Sequence, residues 1–201
     1  MRQLFLFCMI VSSVWARAQA EDSVLIAEIE AYRAELDHHY QDKETSPFKK
    51  KRERKKFKGH RYYEIDLEYR VEAEIAEFLF KDTIIIPTSA GTEKKFRRYC
   101  ELTFVIKGKD CKLVAYQRAK KGHENYLFVP FKDLTSGFDS YGGGRYLDLD
   151  VPKGQSSVIL DFNYAYNPYC AYTTGWFCPI PPEENFLNVE VRAGLMKPEE
   201  H

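Results

Sequence analysis

Hydrophobic and polar residues repeat with two different periods along this chain. Between residues 24 and 41 the apolar positions recur at steps of three or four, and they are Leu25, Ile29, Tyr32, Leu36 and Tyr40. This period places them on one face of an amphipathic helix that packs against the rest of the domain. A second, shorter helix is predicted to begin at Ser46-Pro47 and to run to Phe57, with Gly59 just beyond its end.

From residue 63 the period changes to two, which is typical of a half-buried strand. Apolar residues at the odd-numbered positions from Tyr63 to Ile75 alternate with charged ones. Further strands are predicted at 84–87, 126–131, 145–149, 158–162 and 186–192, with a hairpin over 99–118. Glycine- and serine-containing turns separate them. The pattern predicts a mainly β fold: an antiparallel sheet, sandwich or partly closed barrel, with one or two N-terminal helices packed on it.

The predicted hairpin has consequences for two cysteines. A two-residue turn at Gly108-Lys109 has glycine first, as a type II′ turn prefers. In that register Cys111 faces Ile106 and Cys100 faces Gln117. The two cysteines are then about 17 Å apart along the strands. Because a disulfide needs Cα atoms within about 7 Å, we expect both cysteines to be free and buried.

The first twenty residues are typical of an export signal. Arg2 precedes an apolar stretch from Leu4 to Val14, and Ala18-Gln19-Ala20 fits the small-x-small cleavage pattern. This apolar stretch is shorter than the roughly twenty residues of a membrane-spanning helix. We therefore predict a signal peptide over 1–20, a single β-rich domain over 21–201 with its helical segment at about 24–58, and a periplasmic or secreted protein. An uncleaved N-terminal anchor is the alternative, and a lipoprotein is disfavoured.

The charge balance argues against a nucleic-acid partner. The chain has 30 basic and 30 acidic residues, and loss of Arg2 and Arg17 with the leader would leave 28 basic residues against 30 acidic ones. One basic run stands out, KKKRERKKFK at 49–58. It is either a contact for an anionic surface or a solvated helix face beside the acidic segment 64–77.

The segment 161–185 does not have the composition of an ordinary surface loop. It contains four prolines, two cysteines and five tyrosines or tryptophans, namely Tyr164, Tyr166, Tyr169, Tyr172 and Trp176. An aromatic wall with a few polar groups is typical of a small-molecule site. Asp161, Asn163, Asn167, Glu184 and Asn185 are the polar candidates. The alternative is that the Asx side chains cap turns beside the prolines.

A glycine-rich turn, Tyr141 to Asp148, supplies the second half of the predicted site. Its backbone N–H groups are able to form an anion-binding nest, and Arg145 is able to clamp a carboxylate or phosphate. The alternative is a plain turn into a strand, with Arg145 paired to a structural acid such as Asp161. The complete set of ligand-binding candidates is Gln117, Arg145, Tyr146, Asp161, Asn163, Asn167, Tyr169, Cys170, Tyr172, Glu184 and Asn185.

Cys170 and Cys178 leave two chemistries open. An exported protein permits a local disulfide between them. A nucleophilic Cys170 would instead need a base or a positive neighbour, and thiol–disulfide exchange more often uses a C-x-x-C spacing. The five histidines show no metal-ligand spacing, so neither a metal nor another cofactor is predicted.

Several long motifs resemble an uncharacterised bacterial family, domain of unknown function 1684. The motifs are YNPYCAY at 166–172, CPIPPEEN at 178–185, RAG at 192–194, YGGGRYLD at 141–148, LFVPF at 127–131, TSG at 135–137, PTS at 87–89, FKG at 57–59 and DFN at 161–163. Together they cover most of the chain from about Tyr32 to Gly194. The resemblance implies a bacterial source. It supplies no activity and no catalytic residue.

Three functions remain open on these observations. The first is a binding domain for a small polar or anionic ligand, held between the 141–148 turn and the 161–185 segment. The second is a hydrolase or transferase that uses Asp161 or Glu184 as acid and base, or Cys170 as nucleophile. The third is an envelope interaction protein that uses the 49–58 run.

Overall fold

The computed structural model describes residues 2–118 and 125–199, with side chains from residue 19 onward. Helix α1 spans Arg2–Gln41 and helix α2 spans Lys51–Lys56. The predicted start of the second helix at Ser46 is wrong. The Ser46 hydroxyl donates to the Tyr40 carbonyl at 2.6 Å and accepts the Phe48 N–H at 3.2 Å, so this residue completes the end of α1.

The described residues form one sheet of eight strands. These are β1 (Arg70–Glu77), β2 (Thr83–Pro87), β3 (Glu93–Ile106), β4 (Lys109–Gln117), β5 (Tyr126–Asp133), β6 (Arg145–Asp150), β7 (Ser157–Asp161) and β8 (Phe186–Leu187). Their order is β6-β5-β4-β3-β1-β7, with β2 beside β3 and the short β8 parallel to β5. All the other pairings are antiparallel, and the sheet curls into a half-barrel with α1 packed on it. The mainly β fold predicted from the sequence is confirmed.

Two predicted strands are shorter than their patterns suggested. The first begins at Arg70, because Leu67–Tyr69 forms a 3₁₀ turn that Asp66 caps by accepting the Glu68 N–H. The second, predicted over 186–192, pairs only through Phe186–Leu187. Beyond Leu187 the backbone forms isolated hydrogen bonds instead of a strand pairing. One example is the bond from the Leu134 N–H to the Val189 carbonyl.

The register predicted for the hairpin is also wrong. Ile106 pairs with Lys109, so the turn residues are Lys107 and Gly108, with φ angles of 46° and 76°. Two positive φ values define a type I′ turn, whose twist matches that of the flanking strands. Cys111 therefore faces Phe104, and Cys100 faces Ala115. Both cysteines are unpaired as expected, with Cys100 buried and Cys111 half-buried.

Both faces of the sheet are buried along β4. Successive side chains of a strand point to opposite faces, yet all four residues from Leu113 to Tyr116 are buried. Leu113 and Ala115 belong to the main core, whereas Val114 and Tyr116 belong to a second cluster. This second cluster, formed with Ile86, Phe96, Phe128 and Tyr146, is the floor of the site described below.

Helix α1 is held by its C-terminal half. The Tyr32 ring lies 4.8 Å from the Tyr164 ring, and the Tyr40 ring lies 4.3 Å from the His60 ring. Asp37 accepts the His60 Nδ1–H at 2.5 Å. Across the described residues, none of the helices combines the length and the apolar character that a membrane span requires.

Candidate functional site

A cavity of about 700 Å³ lies against the second cluster of buried residues. Side chains of the sheet form one wall, namely Phe96, Tyr126, Phe128 and Tyr146. The 161–185 segment forms the other wall, mainly with Tyr166, Tyr169, Trp176 and Phe177. The cavity is therefore lined chiefly by aromatic rings, and only part of this lining was predicted from the sequence.

Strand geometry explains the sheet wall. Lys94 and Phe96 are two residues apart on β3, and Tyr126 and Phe128 are two apart on β5, so each pair points to one face. The Phe96 and Phe128 rings stack at 5.4 Å between centroids, and the Tyr146 ring meets Phe128 edge to face at 4.7 Å. These ring contacts fix the shape of the sheet wall of the cavity.

Hydrogen bonds within the protein engage the hydroxyls of three tyrosines that line the cavity. The hydroxyls of Tyr126 and Tyr166 both donate to Asp148, at 2.6 and 2.8 Å. Burial raises the pKa of Asp148, although both hydroxyls favour its ionised form. The Tyr146 hydroxyl donates to the Pro179 carbonyl at 2.5 Å. With these hydroxyls engaged, the tyrosines present mainly ring surface to a ligand.

Two cations, Lys94 and Arg118, lie on the cavity wall. Burial lowers the pKa of Lys94, and the like charge of Arg118 lowers it further. The Arg118 guanidinium lies 5.7 Å from the centroid of the Phe96 ring, and Lys94 Nζ donates to the Phe177 carbonyl. The described lining contains no carboxylate. One part of the wall is therefore electropositive while the rest is apolar.

Cys170 and Cys178 lie together beside the cavity, and Cys178 forms part of its lining. The Cys170 backbone N–H donates to Cys178 Sγ at 3.4 Å, and both thiols are free. The Cys178 thiol donates to the Cys170 sulfur and lowers the pKa of Cys170 to about 6, against the opposing effect of burial. The Ser89 and Tyr141 hydroxyls contribute in the same direction. The same contact with Cys170 raises the pKa of Cys178.

The glycine-rich turn positions Tyr141 against this cysteine pair. A Cβ atom at Gly143 would lie 2.3 Å from the Tyr141 ring, so only glycine lets the ring fold over the turn. Burial raises the pKa of Tyr141 to about 12, and the neighbouring Cys170 thiolate raises it as well. In this structure the 141–148 turn thus orients the Tyr141 phenol toward Cys170.

Arg145 lies in the protein interior and not on the cavity wall. Its guanidinium donates to Asp133 at 2.7 Å and to the carbonyls of Val191 and Ala193 at 2.8 and 2.5 Å. The ion pair with Asp133 is fully buried on both sides. Arg145 therefore ties β6 to β5 and to the C-terminal segment. The predicted role as ligand anchor is replaced by the alternative of a structural ion pair, with Asp133 rather than Asp161 as the acid.

The predicted polar candidates make structural contacts. Asp161 caps the next turn by accepting the Asn163 N–H, and it lies 3.7 Å from Arg70. Asn185 binds the Val114 backbone through both its donor and its acceptor, at 2.9 and 2.8 Å. Glu184 pairs with Arg98 at 2.6 Å. The part of the prediction that placed these carboxylates and amides in one ligand pocket therefore does not match their positions.

The remaining candidates divide between the cavity and its surroundings. Tyr146 and Tyr169 line the cavity. Tyr172 accepts the Asn167 side-chain N–H at 2.9 Å and packs 5.0 Å from His60, on the side that holds α1. Gln117 ends β4, immediately before the cavity residue Arg118.

Sequence reasoning missed most of the sheet wall. Lys94, Phe96, Arg118 and Phe128 were not among the predicted site residues. The sequence contains one indication of this wall: Lys94 and Phe96 are two residues apart, so a strand would place both on one face. This spacing lies outside the predicted strand, which begins at residue 99, whereas β3 begins at Glu93.

The fold and the cavity define a curled antiparallel β domain with one helix and an aromatic site on its second face. The sequence model of the family described as "Protein of unknown function (DUF1684)" matches residues 55–196. The chain belongs to this family. The resemblance seen in the sequence motifs is thereby confirmed.

A solved structure supports the same fold. It is the solution NMR structure of an uncharacterised protein of Haloarcula marismortui, 34% identical to this chain. The match covers 90% of this chain and 99% of that protein, with a TM-score of 0.70. The comparison with curated proteins gives no significant match.

Proposed function

We propose that this protein binds a small amphipathic anion, with the apolar body of the ligand in the aromatic cavity and its anionic group at Lys94 and Arg118. The observation that carries this proposal is the composition of the lining. Eight aromatic residues and two cations surround the cavity, and no carboxylate occurs among the described lining residues.

The size and chemistry of the cavity support a small molecule rather than a chain segment. Ligand pockets in proteins usually measure about 300–1,000 Å³ and are mostly apolar with a few oriented polar groups. A volume of about 700 Å³ falls inside that range. The apolar rings favour burial of a hydrocarbon or aryl group by the hydrophobic effect.

Two cations close to one another favour an anion by their electrostatics. Each repels the other, and the pKa of Lys94 is lowered partly for this reason. An arriving carboxylate, sulfonate or phosphate would relieve that repulsion and form charge-assisted hydrogen bonds. The expected ligand thus keeps the anionic group predicted from the sequence, but Lys94 and Arg118 take the place assigned there to Arg145.

Isothermal titration calorimetry with matched ligands tests this proposal. Decanoate and decanol share a chain and differ in charge, and naphthalene-2-carboxylate and 2-naphthylmethanol form the aryl counterpart. We expect the anionic member of at least one pair to bind about tenfold more tightly, which corresponds to about 1.4 kcal/mol.

The Lys94→Gln variant should remove most of that preference, while Lys95→Gln should retain it. Lys95 is the matched control because it lies on the same strand and is exposed. Equal binding of the anionic and neutral members by wild type, or the same loss in both variants, would refute the anionic part of the proposal. Absence of binding by all four probes would refute the cavity as a site for this class of ligand.

A further inference from the structure

We propose that Cys170 and Cys178 form a dithiol–disulfide exchange site, in which Cys170 attacks a low-molecular-weight disulfide and Cys178 resolves the mixed disulfide. This inference is independent of ligand binding in the cavity. It is carried by the juxtaposition of two free thiols that are eight residues apart in the chain.

The backbone holds the two cysteines next to each other. The Cys170 N–H donates to Cys178 Sγ, and Cys170 lies in the 3₁₀ turn Tyr169–Ala171. Cys178 is fixed on the other side, since its carbonyl accepts the Ser89 N–H at 2.9 Å and its N–H donates to Ser89 Oγ at 3.4 Å. The spacing therefore differs from C-x-x-C, but the fold supplies the proximity that the shorter motif usually provides.

The two thiols differ in exposure and in pKa, as expected of an attacking and a resolving cysteine. Cys170 is partly exposed, whereas Cys178 is buried. The donors around Cys170 lower its pKa to about 6, so at neutral pH it is mainly a thiolate, which is the nucleophilic form. Contact with that thiolate raises the pKa of Cys178, which keeps its proton until the thiolate has reacted.

The exchange reaction balances with a small disulfide such as oxidised glutathione as the oxidant. The Cys170 thiolate attacks one sulfur of that disulfide, a mixed disulfide forms, and one glutathione thiolate leaves. Cys178 then loses its proton and attacks Cys170 Sγ, which forms the Cys170–Cys178 bond and releases the second glutathione. The two protein sulfurs lose two electrons in total. The Cys178 proton goes to one of the two leaving glutathione thiolates, and the other takes its proton from solvent.

The chain contains its own reference thiols. Burial raises the pKa of Cys100 to about 12, and it also raises the pKa of Cys111. Both are therefore expected to react slowly with a disulfide at neutral pH. Cys111 is the better comparison because, like Cys170, it is half-buried.

The test is a titration of the full chain in buffers of reduced and oxidised glutathione at pH 7, followed by alkylation and peptide mapping. Chymotrypsin separates the two cysteines, since Tyr172, Trp176 and Phe177 lie between them. Wild type should form the Cys170–Cys178 cross-link while Cys100 and Cys111 remain thiols, and excess reduced glutathione should reverse it. The Cys178→Ser variant should accumulate glutathione on Cys170, and Cys170→Ser should react at least tenfold more slowly.

Two results in the wild-type protein would overturn the proposal, so its failure does not depend on how a variant folds. The first is modification of Cys170 and Cys111 at equal rates without a cross-link. The second is a cross-link that reduced glutathione does not open, because such a bond is structural rather than exchanging. Melting temperatures of the two serine variants, compared with that of wild type, show whether their thiol reactivity is that of the folded protein.

Discussion

Several side chains in this fold have structural or chemical roles that their sequence context does not reveal. Arg145 follows three glycines, a context typical of a phosphate-binding arginine, yet its guanidinium is fully buried with Asp133. Asp133 also accepts hydrogen bonds from the Thr135 backbone and hydroxyl at 2.7 and 2.6 Å. The pair therefore organises the 133–140 turn and the C-terminal segment together.

Loss of Arg145 should destabilise the protein strongly. In Arg145→Met the Asp133 carboxylate stays buried without its cation, so we expect the free energy of unfolding to fall by about 3–5 kcal/mol in urea denaturation. The control is Arg192→Met, because Arg192 pairs with Asp139 in a half-exposed position. That variant should lose less than about 1 kcal/mol. Equal losses in both variants would contradict the assigned role of Arg145.

Tyr141 gives a prediction about reactivity rather than stability. Its hydroxyl helps to lower the pKa of Cys170, so Tyr141→Phe should raise that pKa. The rate of alkylation by iodoacetamide, mapped to Cys170, should rise with a midpoint near pH 6 in wild type and at a higher pH in the variant. Tyr99→Phe is a suitable control because the Tyr99 hydroxyl bonds to Glu77 instead. An unchanged midpoint in Tyr141→Phe would show that the phenol does not stabilise the thiolate.

At the scale of elements, one carboxylate fastens α1 to the domain. Asp37 accepts hydrogen bonds from the His60 backbone and ring and from the Tyr62 hydroxyl. Burial opposes ionisation of Asp37, but the His60 contacts outweigh it and lower the pKa below its ordinary value of 3.8. Because the folded pKa is lowered, this contribution to stability is complete above pH 3.8 and is lost as the pH falls through the folded value.

The Asp37→Asn variant should therefore lose stability in a pH-dependent way. We expect a loss of about 1–2 kcal/mol at pH 7, since hydrogen bonds to a charged group are replaced. The difference from wild type should shrink as the pH falls below 3.8 and through the lowered pKa of the folded protein, because the wild-type carboxylate then becomes protonated as well. The control is Glu35→Gln, an exposed position on the same helix, which should show little change at either pH. A pH-independent loss in Asp37→Asn would contradict the electrostatic explanation.

Element types could be predicted from the sequence better than their pairings. The two periods identified α1 and most strands, because burial of one face leaves a repeating mark on the chain. The hairpin register could not be predicted in the same way. Lys107 adopts a φ of 46°, which is uncommon for a residue with a side chain, whereas turn preferences favour glycine in the first turn position.

The candidate site was predictable only on its loop side. The aromatic composition of 161–185 is unusual locally, and Tyr166, Tyr169 and Trp176 do line the cavity. Phe96 and Phe128 look like ordinary strand residues, and only the three-dimensional sheet brings them together. Cys170 and Cys178 are an intermediate case, since their presence was visible but the contacts with Tyr141 and Ser89 depend on the fold.

At the scale of the whole molecule, the curled sheet separates stability from binding. One face carries the main core, and the other carries the smaller cluster that opens into the aromatic cavity. Helix α1 stands outside both and contacts the 161–185 segment through Tyr164, Tyr169 and Tyr172. A change in the position of α1 would therefore displace side chains of the 161–185 segment in the cavity wall before it affected the sheet.

The position of α1 also bears on the proposal that the protein is exported and cut after Ala20. The first buried side chain described on the helix is Ile29, whereas Ala20 and Val24 are exposed. Cleavage after Ala20 would therefore remove no buried contact among the described side chains. The new helix terminus would begin with Glu21 and Asp22, and acidic residues there interact favourably with the helix dipole.

We accordingly expect mass spectrometry of the exported protein to give an N-terminus at Glu21. Ala20→Arg should accumulate the uncut chain, because a large residue at this position blocks cleavage, while Gln19→Arg should be processed normally. A chain that starts at Glu21 should unfold at the same urea concentration as the full chain, since the described buried side chains of α1 begin at Ile29 and Asp37 bonds to His60. Any other mature terminus would contradict the cleavage site, and a large loss of stability would show that the leader is part of the folded domain.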